Sequence, residues 1–164
     1  MKSIFLRYGS ALILAVLYPL FYVIFSPLTL GSTYLLLQTV YEVSLSGTTI
    51  TIDSASFIFI PACSAAIAYL LLAELLLVTR DITLQQGLRM FFIGAAAIFF
   101  MNIARIVILV FVYLNFGKNY FDLVHIVFWH VVSTIFVAAV WIALVEWYKI
   151  KQIPVYSDIK EILR

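Results

Sequence analysis

Four apolar runs, at residues 8–25, 62–78, 90–114 and 124–147, are each about long enough to cross a bilayer as a helix. A bilayer core of about 30 Å needs roughly 17–25 helical residues. Inside it every backbone polar group must find its partner within the chain, which leaves little besides helices for runs of this length. A chain of 164 residues is then expected to form one compact membrane domain over residues 1–164. Composition agrees. Charged residues make up 11% and hydrophobic ones 65%, with a mean hydropathy of +1.14, whereas a soluble domain carries roughly 25% charged residues. The net charge of +2 is too small to suggest a nucleic-acid partner, and the single cysteine excludes an internal disulfide.

The first run follows Lys2 and Arg7 and has the look of a signal peptide. Phe25-Ser26-Pro27 offers no small-x-small cleavage site, so the run is expected to be retained. With a cytoplasmic N-terminus, the inner segments hold Lys2, Arg7, Arg80, Arg89, Lys149, Lys151, Lys160 and Arg164. The outer segments hold only Lys118, a strong inside bias of basic residues. The bias argues against a further crossing at 28–45, where Gln38 and Glu42 interrupt the apolar residues. Residues 33–43 are expected to form a short helix at the outer interface. Residues 47–60 hold two β-rich runs around Asp53-Ser54, the pattern of a hairpin. Short polar loops are expected at 79–89 inside and 115–122 outside, and a charged cytoplasmic tail at 148–164. The expected class is an all-α membrane protein of about four spans, with a small outer hairpin before the second.

Three residues carry chemistry. Cys63 opens the second run and His125 the fourth, both at the outer surface. Arg105 lies about nine residues below the outer end of the third run, roughly 13 Å deep. Its long side chain can reach toward the interface. A thiolate is a nucleophile, favoured by a helix N-terminus and a nearby cation. Histidine can deprotonate the thiol and later protonate a leaving amine. Arginine is too basic to donate a proton at neutral pH but can stabilise an oxyanion. A structural role is open for each. A lone cysteine also packs as a small hydrophobe, and Arg105 could pair with Glu74, which lies at a depth close to Asn102. Asn102, one turn below Arg105, most simply bonds a neighbouring helix. His130, turned about 140° from His125 on an ideal helix, is expected to pack or to support the site. The histidines and the cysteine lack metal-ligand spacing, so no metal and no cofactor is implied.

At these residues the sequence resembles the exosortase/archaeosortase family. Ile60-Pro61-Ala62-Cys63-Ser64-Ala65 resembles the family's "aCSg" motif, with Ala65 where glycine is common. Asn102-Ile103-Ala104-Arg105-Ile106 is similar to its "NxxRI" motif. Phe121-Asp122-Leu123-Val124-His125 resembles its third motif, in which a histidine opens the last helix. Together these motifs span about residues 47–147. The resemblance implies an intramembrane cysteine protease/transpeptidase. Such an enzyme cleaves a C-terminal sorting signal, including a transmembrane helix, from an exported protein and passes the new C-terminus to a membrane-lipid acceptor. It makes Cys63 the nucleophile, Arg105 the transition-state stabiliser and His125 the acid/base, with Ser64, Asn102, Glu74 and His130 as supporting candidates. The competing expectation is a non-enzymatic helical scaffold or transporter subunit built around an Arg105–Glu74 pair. Substrate identity and oligomeric state have no signature in the sequence.

Overall fold

The computed structural model describes residues 2–150, the side chains of residues 2–4 and 130 excepted. The tail expected beyond residue 150 lies outside the described residues. The structure is 77% helical. Helices α1 (Lys2–Val16) and α2 (Tyr18–Leu37) precede strands β1 (Val43–Ser46), β2 (Thr49–Ile52) and β3 (Ala55–Ile58). A 3₁₀ turn (Pro61–Ser64) leads into α3 (Ala66–Val78) and α4 (Leu84–Phe116). Next come α5 (Lys118–Val127), a π-helical turn (Phe128–Val132) and α6 (Ser133–Trp147).

The N-terminal region departs from the expected run at 8–25. The helix breaks at Leu17 (φ −83°, ψ 10°), where Leu20 N–H bonds back to the Leu17 carbonyl. Pro19 has no N–H to continue the ladder, which accounts for the break. From there α2 continues for 20 residues, through Pro27, to Leu37. The short interfacial helix expected at 33–43 is therefore absent. Gln38 and Glu42, which argued against a span, fall just past the end of α2 and do not oppose it.

The Asp53-Ser54 turn joins β2 to β3 as expected, with Ile52 opposite Ala55. The first strand was not expected. Val43-Ser44-Leu45-Ser46 alternates apolar and polar residues and pairs antiparallel with β2, Val43 opposite Ile52. The resulting sheet has the order β1-β2-β3. One face carries Ile50 and Ile52, buried with Leu37 of α2 and Val110 of α4. The other carries Ser44, Ser46 and Ser56, all exposed. This one-sided alternation pins the register, because a slip of one residue would turn the isoleucines outward.

The run at 62–78 also divides. The 3₁₀ turn ends at Ala65 in the left-handed region (φ 55°, ψ 25°), and α3 keeps only 13 residues, about 20 Å. By contrast α4 grows to 33 residues. The Thr83 hydroxyl accepts from Gln86 N–H and the Gln86 side chain accepts from Thr83 N–H, a reciprocal cap that starts α4 inside the loop expected at 79–89. The outer loop expected at 115–122 reduces to Gly117. Its φ of 83° and ψ of −178° lie where essentially only glycine goes, and they turn the chain from α4 into α5 in one residue. The fourth run is split by the π turn, where both N–H and Oγ of Ser133 donate to the Phe128 carbonyl.

Tyr69, Leu72 and Leu76 of α3, Met90 and Ile98 of α4, and Val137 and Leu144 of α6 form the main core. Gly94 lets α4 approach its neighbours closely. A Cβ there would meet Leu72 Cδ2 at 2.6 Å, Leu144 Cδ1 at 3.0 Å and Val140 Cγ1 at 3.2 Å. Gly94→Val is expected to cost about 1–3 kcal/mol through overpacking, read as a lower thermal midpoint in detergent.

Two ends of the molecule can be told apart. At one, Arg7 Nη1 donates to the Val78 carbonyl (3.0 Å), at the end of α3 that leads to Arg80. At the other, Leu37 and Val110 meet the sheet. The surface between them is apolar, with Phe92, Phe100 and Ile135 each more than 60% exposed. By length and composition α2 and α4 can each cross a membrane, while residues 5–16, α3 and α6 are shorter apolar helices.

Candidate active site

The 3₁₀ turn holds Cys63 at the sheet end of the molecule. Pro61 is pre-set for a first helical position. Cys63 N–H bonds the Ile60 carbonyl (2.9 Å), so the cysteine sits directly beyond the end of β3. Ser64 is buried and its Oγ donates to the Pro61 carbonyl (2.7 Å), closing the turn. Ala65 then adopts its left-handed conformation. An L-residue there costs roughly 1–2 kcal/mol, and glycine avoids that cost at a smaller entropic one. Ala65→Gly is expected to stabilise the protein by about 0.5–1 kcal/mol, seen as a higher thermal midpoint.

Two residues of α4 clamp this turn from the side. Asn102, fully buried, donates from Nδ2 to the Cys63 carbonyl (2.8 Å). Bonding a neighbouring element was its expected role. Arg105 is 5% exposed, and its Nη2 reaches the Ala62 carbonyl at 3.5 Å. Among the described residues its Nε has no hydrogen-bond partner, and neither has Asn102 Oδ1. No ion pair joins Arg105 to Glu74 among the described residues, where Arg80 pairs with Asp81 and Lys118 with Asp122. The Arg105–Glu74 pair on which the scaffold reading depended is thus not formed. Among the described residues Arg105 is a buried cation without a counter-ion, holding an unspent N–H donor. A buried donor left unpaired costs about 1–3 kcal/mol.

His125 arrives from α5. The turn at Gly117 brings α5 back against α4, and an i,i+4 ion pair of Lys118 with Asp122 (2.6 Å) braces its first turns. A run of ring contacts sets the imidazole. Phe57 of β3 meets Tyr113 of α4 edge-on, Tyr113 meets Phe121 edge-on, and Phe121 lies against His125. Trp129 stacks on the other side of the histidine. Phe121, His125 and Trp129 recur every four residues, a helical stripe visible in the sequence. The partners Phe57 and Tyr113 have no comparable signal, because their contact crosses between the sheet and α4.

Cys63, Arg105 and His125, from three separate elements, line one cavity of about 250 Å³. Ser56 to Ile60 of the β3 edge form one wall, and Ile106, Leu109, Val110 and Tyr113 of α4 form another. The three are not hydrogen-bonded to one another, so the open space between them can take a reacting group. Arg105 also lines a second cavity, about 170 Å³, on its other side with Asn102, Trp129 and Ser133. Glu74 lies on α3 and lines neither cavity. The side chain of His130 lies outside those described. Compared with protein-family models, with curated proteins and with solved structures, the chain matches none.

Proposed function

We propose that this chain is an exosortase/archaeosortase-like cysteine transpeptidase of the cell membrane, and the observation that carries the reading is the cavity shared by Cys63, Arg105 and His125. The thiolate of Cys63 attacks the carbonyl carbon of a peptide bond near the C-terminal anchor of an exported protein. The carbonyl π electrons move to oxygen, and the unspent donors of Arg105 stabilise the oxyanion. When the oxyanion collapses the C–N bond breaks, and His125 returns the proton it took from the thiol to the leaving amine. The resulting thioester is attacked by a nucleophile on a membrane-lipid acceptor. The new bond forms to the acceptor, the C–S bond breaks, and the acceptor's proton passes through His125 to restore the thiol.

In this reading the chain crosses the membrane four times, by α1–α2, by the 3₁₀ turn with α3, by α4, and by α5 through α6. N- and C-termini lie in the cytoplasm and the cavity faces outward. Two observations favour that orientation. Arg7 sits at the end of the molecule that leads to Arg80, and the sheet lies at the other.

The test is mass spectrometry of a co-expressed exported protein carrying a C-terminal transmembrane anchor and basic cluster. The expected product ends at a new C-terminus bearing an added lipid mass. A truncated product without an adduct would make the protein a hydrolase. Labelling of Cys63 in intact cells by a membrane-impermeant thiol reagent checks the orientation, and protection until the cells are opened would reverse it.

A further inference from the structure

We infer that β3 receives the peptide substrate as a fourth strand, delivering its carbonyl to Cys63; the inference rests on the transpeptidase reading above. In the β2–β3 hairpin, Ile52 opposes Ala55 and Ile50 opposes Phe57, and Phe59 N–H bonds the Thr48 carbonyl. The backbone groups of Ala55, Phe57 and Phe59 are therefore turned toward β2. Alternation then turns the N–H and C=O of Ser56 and Ile58 to the opposite edge. The sheet ends at β3, so these groups have no strand to pair with, and neither residue makes a further backbone hydrogen bond among the described residues.

Exposed edges are usually blunted by lysine, proline or a bulge. The stretch Ser56-Phe57-Ile58-Phe59-Ile60 has none of these residues, and all five of its members line the cavity that holds Cys63, Arg105 and His125. Only an extended main chain offers donors and acceptors at the repeat a strand edge presents, which is how sheet edges capture peptides. The edge also points at the nucleophile, because Cys63 N–H is bonded to the carbonyl of Ile60. A peptide in register along β3 runs onto the sulfur. The apolar lining from Ile106, Leu109 and Val110 suits a segment that enters a membrane anchor. The opposite edge, β1, contributes no residue to the cavity.

The experiment uses the full chain in detergent and reads alkylation of Cys63, the single cysteine, by intact mass. The probes are a blocked tetrapeptide fluoromethyl ketone randomised at its side chains, its backbone N-methylated form, and fluoroacetone, which carries the same electrophile without a peptide. In each case the thiolate bonds the methylene carbon and fluoride leaves. The parent peptide is expected to label wild type about tenfold faster than fluoroacetone, from about two main-chain hydrogen bonds. Ile58→Pro removes an outward N–H without touching the β2–β3 ladder and is expected to abolish the advantage. Leu45→Pro, the matching change on the far edge, is expected to keep it. The N-methylated peptide should lose it on wild type, a comparison independent of any effect of proline on folding. Equal labelling by peptide and fluoroacetone, or equal labelling by the parent and N-methylated peptides, would overturn strand addition. Iodoacetamide separates this outcome from a deeper failure. If it leaves wild-type Cys63 unmodified, the nucleophile assignment falls, and the transpeptidase reading with it.

Discussion

Cys63→Ala is expected to lower substrate processing by at least about 10³-fold while leaving the protein folded. In the proposed transfer the thiol supplies the bond on which both halves depend, so its loss leaves only binding and electrostatic assistance. The fold gives little reason for Cys63→Ala to destabilise the protein. The side chain is partly exposed toward the cavity, and the turn around it is held by the backbone bond to Ile60, the Ser64–Pro61 bond and the Asn102 clamp. The measurement is the new C-terminus in co-expressed substrate, compared with the thermal midpoint of each protein. Full processing by the alanine variant would remove Cys63 from the mechanism and leave the cavity without a nucleophile.

Arg105→Met is expected to separate activity from stability. Loss of one oxyanion donor typically costs about 10²–10³ in turnover. Stability should move the other way. Arg105 is buried, has no ion pair among the described residues, and makes one long bond to the Ala62 carbonyl. Placing arginine within a membrane helix costs about 2.5–3.5 kcal/mol on insertion scales, and a single hydrogen bond returns about 1 kcal/mol. Methionine fills a similar length without the charge, so a gain of about 1–2 kcal/mol in folding stability is expected, read from thermal or denaturant unfolding in detergent. Retained processing would show that Arg105 does not stabilise the reacting oxygen. A large loss of stability would make its contact with the 3₁₀ turn structural first.

The two changes also separate the roles of the elements. Cys63 stands on a turn held largely by local hydrogen bonds, whereas Arg105 is placed by the packing of α4. Gly94 and the core around Leu72 and Leu144 set how closely α4 lies to α3 and α6. A defect at Gly94 should therefore reach the site through the position of Arg105 and of Asn102, which clamps the Cys63 carbonyl.

Local signals in the chain were reliable where one short stretch decided the outcome. The apolar runs are helical, Asp53-Ser54 is a turn, and Arg105 lies deep within a long helix. They failed where two weak signals competed. Val43 was assigned to the end of the helix expected at 33–43 and Ser44-Leu45-Ser46 to no element, because a strand at the edge of a sheet is stabilised by its partner and not by its own residues. The end of α2 at Leu37 was hidden by Gln38 and Glu42, which lie just beyond it. The divided run at 62–78 carried only the faint mark of Ala65, an L-residue held at positive φ by its surroundings.

By itself the sequence determined the apolar character of the helices and the reactive groups available: one thiol, one arginine amid apolar residues and one histidine opening a run. Hydropathy and residue identity are properties of single positions and survive without a fold. Only the tertiary structure decided that Asn102 and Arg105 of α4 clamp the turn that holds the thiol, that the fold at Gly117 brings His125 to the same cavity, and that Arg105 meets that turn instead of Glu74. Those are contacts between residues tens of positions apart, such as Asn102 and Cys63. They exist only once helix lengths, a three-stranded sheet and close packing at Gly94 have set every element against the others.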